Sequence, residues 1–108
     1  MVEINGFDIS LTRGDSLFLT VELTNQDGSS YTPVEGDSIR FAMKKRYKDS
    51  ECLILKQIPT SMMVLGIDPE DTKNLSFGTY VYDIELTDHL GNVATPIIGT
   101  FKVTEEVH

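Results

Sequence analysis

An all-β, antiparallel sandwich of about seven strands is the fold class that this sequence predicts, on three observations. Apolar residues recur at every second position in segment after segment, Asn, Asp and Gly clusters interrupt the segments at short intervals, and only one stretch carries helix signals. Alternation of this kind sends successive side chains to opposite faces of a strand, so that one face can be buried. The chain has 108 residues, of which 40% are hydrophobic. That suffices for one core without metals or disulfides, and a single domain over residues 1–108 is expected.

The elements follow in order. A short leading strand is expected around Phe7 to Leu11. From Ser16 to Thr24, Leu17, Leu19, Val21 and Leu23 alternate with Phe18, Thr20, Glu22 and Thr24. That run stops at Asn25-Gln26-Asp27-Gly28, the residue types that tight turns select. The polar stretch Asp27 to Asp37, with Pro33 and Gly36, reads as a loop. Ile39, Phe41 and Met43 then alternate with Arg40, Ala42 and Lys44. Cys52 to Ile58 and Met62 to Ile67 also read as strands, but their facing is open. The first is apolar on both faces at its start, and the second offers both Met62/Val64 and Met63/Leu65/Ile67. Tyr80, Tyr82, Ile84 and Leu86 form the next inward set, ending at the turn Asp88-His89-Leu90-Gly91-Asn92, and Ile97, Gly99, Phe101 and Val103 form the last.

The helix signals lie in Asp68 to Leu75. Asp68 suits an N-cap, Pro69 the first helical position, and Glu70 and Asp71 the positive end of the helix. One short helical turn near residues 68–75 is expected, bridging the two sheets.

Charge and composition narrow the function classes. Nine Lys and Arg against 17 Asp and Glu give a formal charge of -8, which repels nucleic-acid phosphates and anionic lipid surfaces. No nucleic acid and no membrane is expected among the partners. Cys52 is the only cysteine, so no intrachain disulfide marks an oxidising compartment. Met1-Val2-Glu3-Ile4-Asn5-Gly6 has neither a basic region nor an apolar run of signal-peptide length, and cytoplasmic synthesis is expected.

Candidate sites are few. In Leu75-x-x-Gly78-x-Tyr80-x-Tyr82, a Tyr two positions after a strand-opening Gly can turn its hydroxyl back onto the preceding connection. That is the tyrosine corner of immunoglobulin-like sandwiches. Arg13-Gly14-Asp15 spells an integrin-recognised tripeptide, yet it equally reads as a turn with Gly14 at positive φ and Asp15 bonding nearby backbone. His89 and His108 are the only imidazoles and have no ligand-spaced neighbours, and Asp68, Glu70 and Asp71 lack a calcium-loop pattern. Neither metal nor cofactor is expected. Asp83 and Glu85 share a strand face, where outward carboxylates are ordinary on an antiparallel sheet. With no nucleophile elbow, phosphate loop or zinc-protease motif, the chain reads as no enzyme. Lys44-Lys45-Arg46-Tyr47-Lys48 gathers four of the nine basic residues with an aromatic. It reads as a charged loop protecting a sheet edge, or as a contact for an acidic partner surface.

Taken together, several segments resemble one family. They are Arg13-Gly14-Asp15 before an alternating strand, Gly36-Asp37-x-Ile39-x-Phe41-x-Met43-Lys44-Lys45, Leu75-x-x-Gly78-x-Tyr80-x-Tyr82-Asp83-Ile84-x-Leu86, and Gly99-Thr100-Phe101-x-Val103-Thr104. In this order they are similar to the immunoglobulin-like domain near the N-terminus of the upper baseplate protein of siphophages and of related prophage tail proteins. The resemblance implies a virion component that builds or attaches part of a tail or baseplate without enzymatic activity. Its implied partners are other virion or tail proteins, with homo-oligomerisation in the assembled particle, and its implied location is the virion. The alternative is an extracellular adhesion or ligand-binding immunoglobulin-like module that uses Arg13-Gly14-Asp15 or an exposed sheet.

Overall fold

Period-two alternation builds two sheets around one core. The computed structural model describes residues 2–5, 7–25 and 27–105, with side chains from Phe7 onward. The elements are β1 (Val2–Asn5), β2 (Asp8–Thr12), β3 (Leu17–Thr20), β4 (Ser38–Lys44), β5 (Ile54–Ile58), β6 (Val64–Ile67), α1 (Pro69–Thr72), β7 (Gly78–Thr87) and β8 (Val93–Thr104). Six strands form one sheet in the order β1-β2-β8-β7-β4-β5, and β3 and β6 form the other. The fold is all-β and sandwich-like, as its alternation predicts.

Eight strands are present among the described residues, against the seven or so expected. The additional one, β1, pairs with β2 as an antiparallel hairpin from Val2↔Leu11 to Asn5↔Asp8. One pairing departs from the antiparallel expectation: β2 lies parallel to β8, from Ile9↔Phe101 to Thr12↔Thr104. Parallel neighbours need a long crossover, and here nearly the whole chain supplies it.

The core draws on both sheets. Ile39, Phe41 and Met43 on β4, Tyr80, Tyr82 and Ile84 on β7, and Ile97, Phe101 and Val103 on β8 are buried against Leu17, Val21, Leu65 and Ile67 of the small sheet and its continuation. Phe41 stands at the centre, 5.2 Å from the Tyr82 ring and edge-on to Phe101 at 6.4 Å. Such pairs contribute about 0.5–1.5 kcal/mol each beyond the area they bury.

The two strands of open facing resolve by burial. On β5, Ile54 and Ile58 point inward while Leu55 is exposed; on β6, Leu65 and Ile67 point inward and Met63 packs beside them, leaving Met62 exposed. Both strands start two residues later than the apolar runs suggest. The strand expected over Ser16 to Thr24 is ladder-paired only to Thr20. Val21 still donates to the Met63 carbonyl at 2.8 Å, but Met63 sits at φ 53 and turns β6 away beyond that point. Leu23 remains in the core and bonds Tyr31 across the loop.

The turns follow their residue types. Gly28 and Gly91, both at φ 88, donate to the carbonyls of Asn25 and Asp88 respectively, closing the two predicted turns; Gln26 lies outside the described residues. Helix α1 occupies the predicted place with Asp68 as N-cap. The Asp71 carboxylate accepts from the Asp68 N–H at 2.7 Å, and Lys56 clamps the pair at 2.9 Å from Asp71 and 3.6 Å from Asp68. The Asp71 hydrogen bond and charge hold the Lys56 ammonium above its usual range.

Candidate functional site

One end of the sandwich ties the corner to the Arg13-Gly14-Asp15 turn. The buried Tyr80 donates its hydroxyl to the Ser76 carbonyl at 2.7 Å, which is tyrosine-corner geometry, and Gly78 opens the strand at φ 150. Leu75 packs partly buried against the core. Gly14 takes φ 84, as a turn requires, and donates to the Thr72 hydroxyl oxygen at 2.9 Å. Asp15 donates its backbone N–H to the Thr12 carbonyl. The Arg13 guanidinium donates to the Leu75 carbonyl at 3.3 Å and stacks 4.2 Å from the centre of the Phe77 ring. The Arg13 side chain and the Gly14 backbone N–H thus hold the 72–77 connection against the turn between β2 and β3.

Tyr82, two residues further along the same inward face of β7, belongs to a different constellation. Its hydroxyl donates to the carbonyl of Phe7, 75 residues away, and Gly99 lies beneath that carbonyl with no room for a Cβ. Burial pushes the Tyr82 phenol up to about 12, with the Asp8 charge adding to the shift. The four residues proposed as one corner therefore split: Leu75, Gly78 and Tyr80 form it, while Tyr82 fastens the start of β2 to β8.

The basic cluster is a turn on the outer face of the large sheet. Lys44 ends β4, and Lys45, Arg46, Tyr47 and Lys48 are exposed, closed by an Asp49 N–H bond to the Arg46 carbonyl. Lys44 and Tyr47 border a shallow depression of about 110 Å³ with Arg40, Ala42, Cys52 and Asp83. Glu85 is bonded to Arg40 at 3.0 Å, whereas one Asp83 carboxylate oxygen is enclosed without a hydrogen-bond partner among the described residues. The strand face shared by Asp83 and Glu85 thus has its two carboxylates in different surroundings. Beside them stand the exposed apolar side chains Leu55 and Ile98, whose strands flank the Ala42 and Asp83 positions.

Two features were not foreseen. The first is Asp37, whose side chain is fully enclosed at the end of the loop read only as polar. It accepts from the Tyr31 hydroxyl at 2.5 Å, from the Val34 N–H at 3.0 Å and from the His89 N–H at 2.9 Å, joining the 31–37 loop to the 88–92 turn. The Tyr31 bond, followed by the Val34 N–H and the His89 contacts, holds its carboxyl down at about 2. His89 is thus an exposed turn residue leaning on Asp37; His108 lies outside the described residues. A signal was present in Val34-x-x-Asp37, the spacing of a side chain folding back on its own turn.

The second is an apolar groove of about 400 Å³ between the sheets, floored by Ile9, Ile84 and Ile97 and walled by Leu19, Val21 and Glu22. It exists because two strands cannot cover six. Among the described residues no group of three His, Cys, Asp and Glu is placed to hold a metal ion, and no helix is long and apolar enough to cross a membrane. Comparison with protein-family models and with curated proteins finds no match.

Proposed function

We propose that the chain is a non-enzymatic assembly module with an immunoglobulin-like fold, a tail or baseplate component of a phage or prophage virion that works through protein–protein contacts. The observation that carries this reading is the outer face of the large sheet. There the exposed Leu55 and Ile98 lie on the strands that flank Ala42 and Asp83, and the exposed basic turn Lys45 to Lys48 follows the end of β4, on a chain of charge -8. Apolar contact area with a local charge opposite to the rest of the molecule suits an acidic partner surface, giving both affinity and orientation. The whole-chain resemblance to tail-assembly domains supplies the kind of partner, other virion proteins. The adhesion alternative is less well supported, since Arg13 is committed to Leu75 and Phe77.

The test is recovery of the tagged chain from lysed, induced host cells, with mass spectrometry of what accompanies it. Tail or baseplate proteins are expected with the native chain and are expected to be lost with a Lys45→Glu, Arg46→Glu, Lys48→Glu triple variant. Enrichment of metabolic enzymes alone, with normal particles formed after deletion of the gene, refutes the reading.

A further inference from the structure

We infer that the groove beside β3 is a strand-accepting site, which takes an extended segment of a partner chain with apolar residues at alternate positions and basic residues at its ends. The inference is independent of which particle, if any, the chain belongs to.

The backbone of β3 specifies the occupant. In an antiparallel pair, alternate residues direct N–H and C=O at the partner strand. Leu17↔Ile67 and Leu19↔Leu65 are in register with the Val21 N–H bond to Met63, so Leu17, Leu19 and Val21 bond toward β6. Phe18, Thr20 and Glu22 consequently direct their N–H and C=O groups to the other side. There β3 has no strand neighbour among the described residues, because the small sheet holds only β3 and β6. The groove runs along that side: Thr20, Glu22 and Thr24 stand on its lip and Ile9, Ile84 and Ile97 on its floor. A volume of about 400 Å³ falls in the range of small-molecule pockets. A row of alternating donors and acceptors beside an apolar floor, however, is matched by a backbone and not by a compact ligand. An added strand bonds Phe18, Thr20 and Glu22 with its main chain and sets every second side chain onto the floor, as in recognition by strand addition.

Charge selects among such strands. Glu22 is the one charged side chain among the described lining residues, and the molecule carries -8 overall. Lys or Arg at the ends of the incoming segment complements both, and an acidic segment is repelled.

The probes are nine-residue peptides with Val, Ile or Leu at alternate positions, Thr between them and Lys at both ends. They are titrated into the isotope-labelled chain and followed by amide and methyl NMR. Expected are shifts at the Phe18, Thr20 and Glu22 amides and the Ile9, Ile84 and Ile97 methyls, with slowed hydrogen exchange at the three amides. The same peptide N-methylated at alternate residues keeps its side chains but cannot pair, and is expected to bind at least tenfold more weakly. Replacing its terminal Lys by Glu is expected to weaken binding as well. Thr20→Pro removes a donor from the open edge while leaving the bonds to β6, a position where edge strands accept proline; it is expected to fold and to lose the peptide. No shifts with any of the three peptides at millimolar concentration overturns the inference. So does equal binding of the N-methylated peptide, which would mark a pocket for apolar ligands. Because the readout uses the isolated chain, peptide binding without recovery of virion proteins would sink the assembly reading and leave the strand site standing.

Discussion

Gly14 donates its backbone N–H to the hydroxyl oxygen of Thr72 at 2.9 Å, and Thr72 has no exposed surface. That bond fastens α1 to the turn between β2 and β3. Thr72→Val keeps the shape of the side chain and removes the acceptor, leaving a partly buried N–H without its partner. The expected cost is about 1–2 kcal/mol by urea denaturation, with Thr72→Ser retaining most of the native stability. Equal midpoints for Val and Thr would show that the bond contributes nothing.

Tyr80→Phe removes the 2.7 Å bond to the Ser76 carbonyl and little else, since the ring stays in the core. A loss of about 1 kcal/mol is expected, the usual net worth of such a bond. An unchanged denaturation midpoint removes the corner from the account of stability.

Two glycine substitutions separate collision from conformation. At Gly99 a Cβ meets the Phe7 carbonyl, the acceptor of the Tyr82 hydroxyl, whereas at Gly28 a Cβ meets nothing within 4 Å and only the φ of 88 opposes it. Gly28→Ala is expected to cost about 1 kcal/mol. Gly99→Ala is expected to cost more, about 2–3 kcal/mol. Similar thermal midpoints for the two variants would contradict the close approach.

Asp37 makes stability depend on acid. Its carboxyl binds protons more weakly in the folded chain, at about 2, than at the ordinary value of 3.8. Ionisation therefore favours the fold: the contribution is complete above the unfolded value and is lost as pH falls from about 4 toward 2. Asp27 and Asp88, also held low by their turns, lose stability in the same direction. Urea midpoints between pH 5 and pH 2 are expected to fall more steeply for the native chain than for Asp37→Asn. Parallel curves would assign the acid sensitivity elsewhere.

The strands that the sequence makes legible are those with one buried face. Ile39, Phe41 and Met43, or Tyr80, Tyr82 and Ile84, announce their facing because, Val81 apart, every alternate neighbour is polar or small. β5 is ambiguous because Leu55, apolar and exposed, matches Ile54 in hydropathy. β1 is four residues at the chain start, too short for alternation to register. The start of β8 was missed because Val93 to Pro96 are all exposed. Pairing is a property of space, so neither the parallel β2–β8 ladder nor the small second sheet, and hence the groove, could be read along the chain. The corner and the Gly14 turn were legible because their chemistry is local. Asp37 was legible only in its local spacing from Val34; its link to His89, 52 residues away, was not.

The β2–β8 ladder joins residues 9–12 to residues 101–104, which sets a condition on synthesis. Pairings between distant segments form late and place a chain among slow-folding topologies. At about 5–20 residues per second, the twelve residues of β8 take on the order of a second to emerge. Until then β7 is bonded on one side only, to β4, and β2 lacks its parallel neighbour. Until β8 docks, β7 presents an unpaired row of backbone donors and acceptors, and the large sheet is complete only when Thr104 has come to lie beside Thr12.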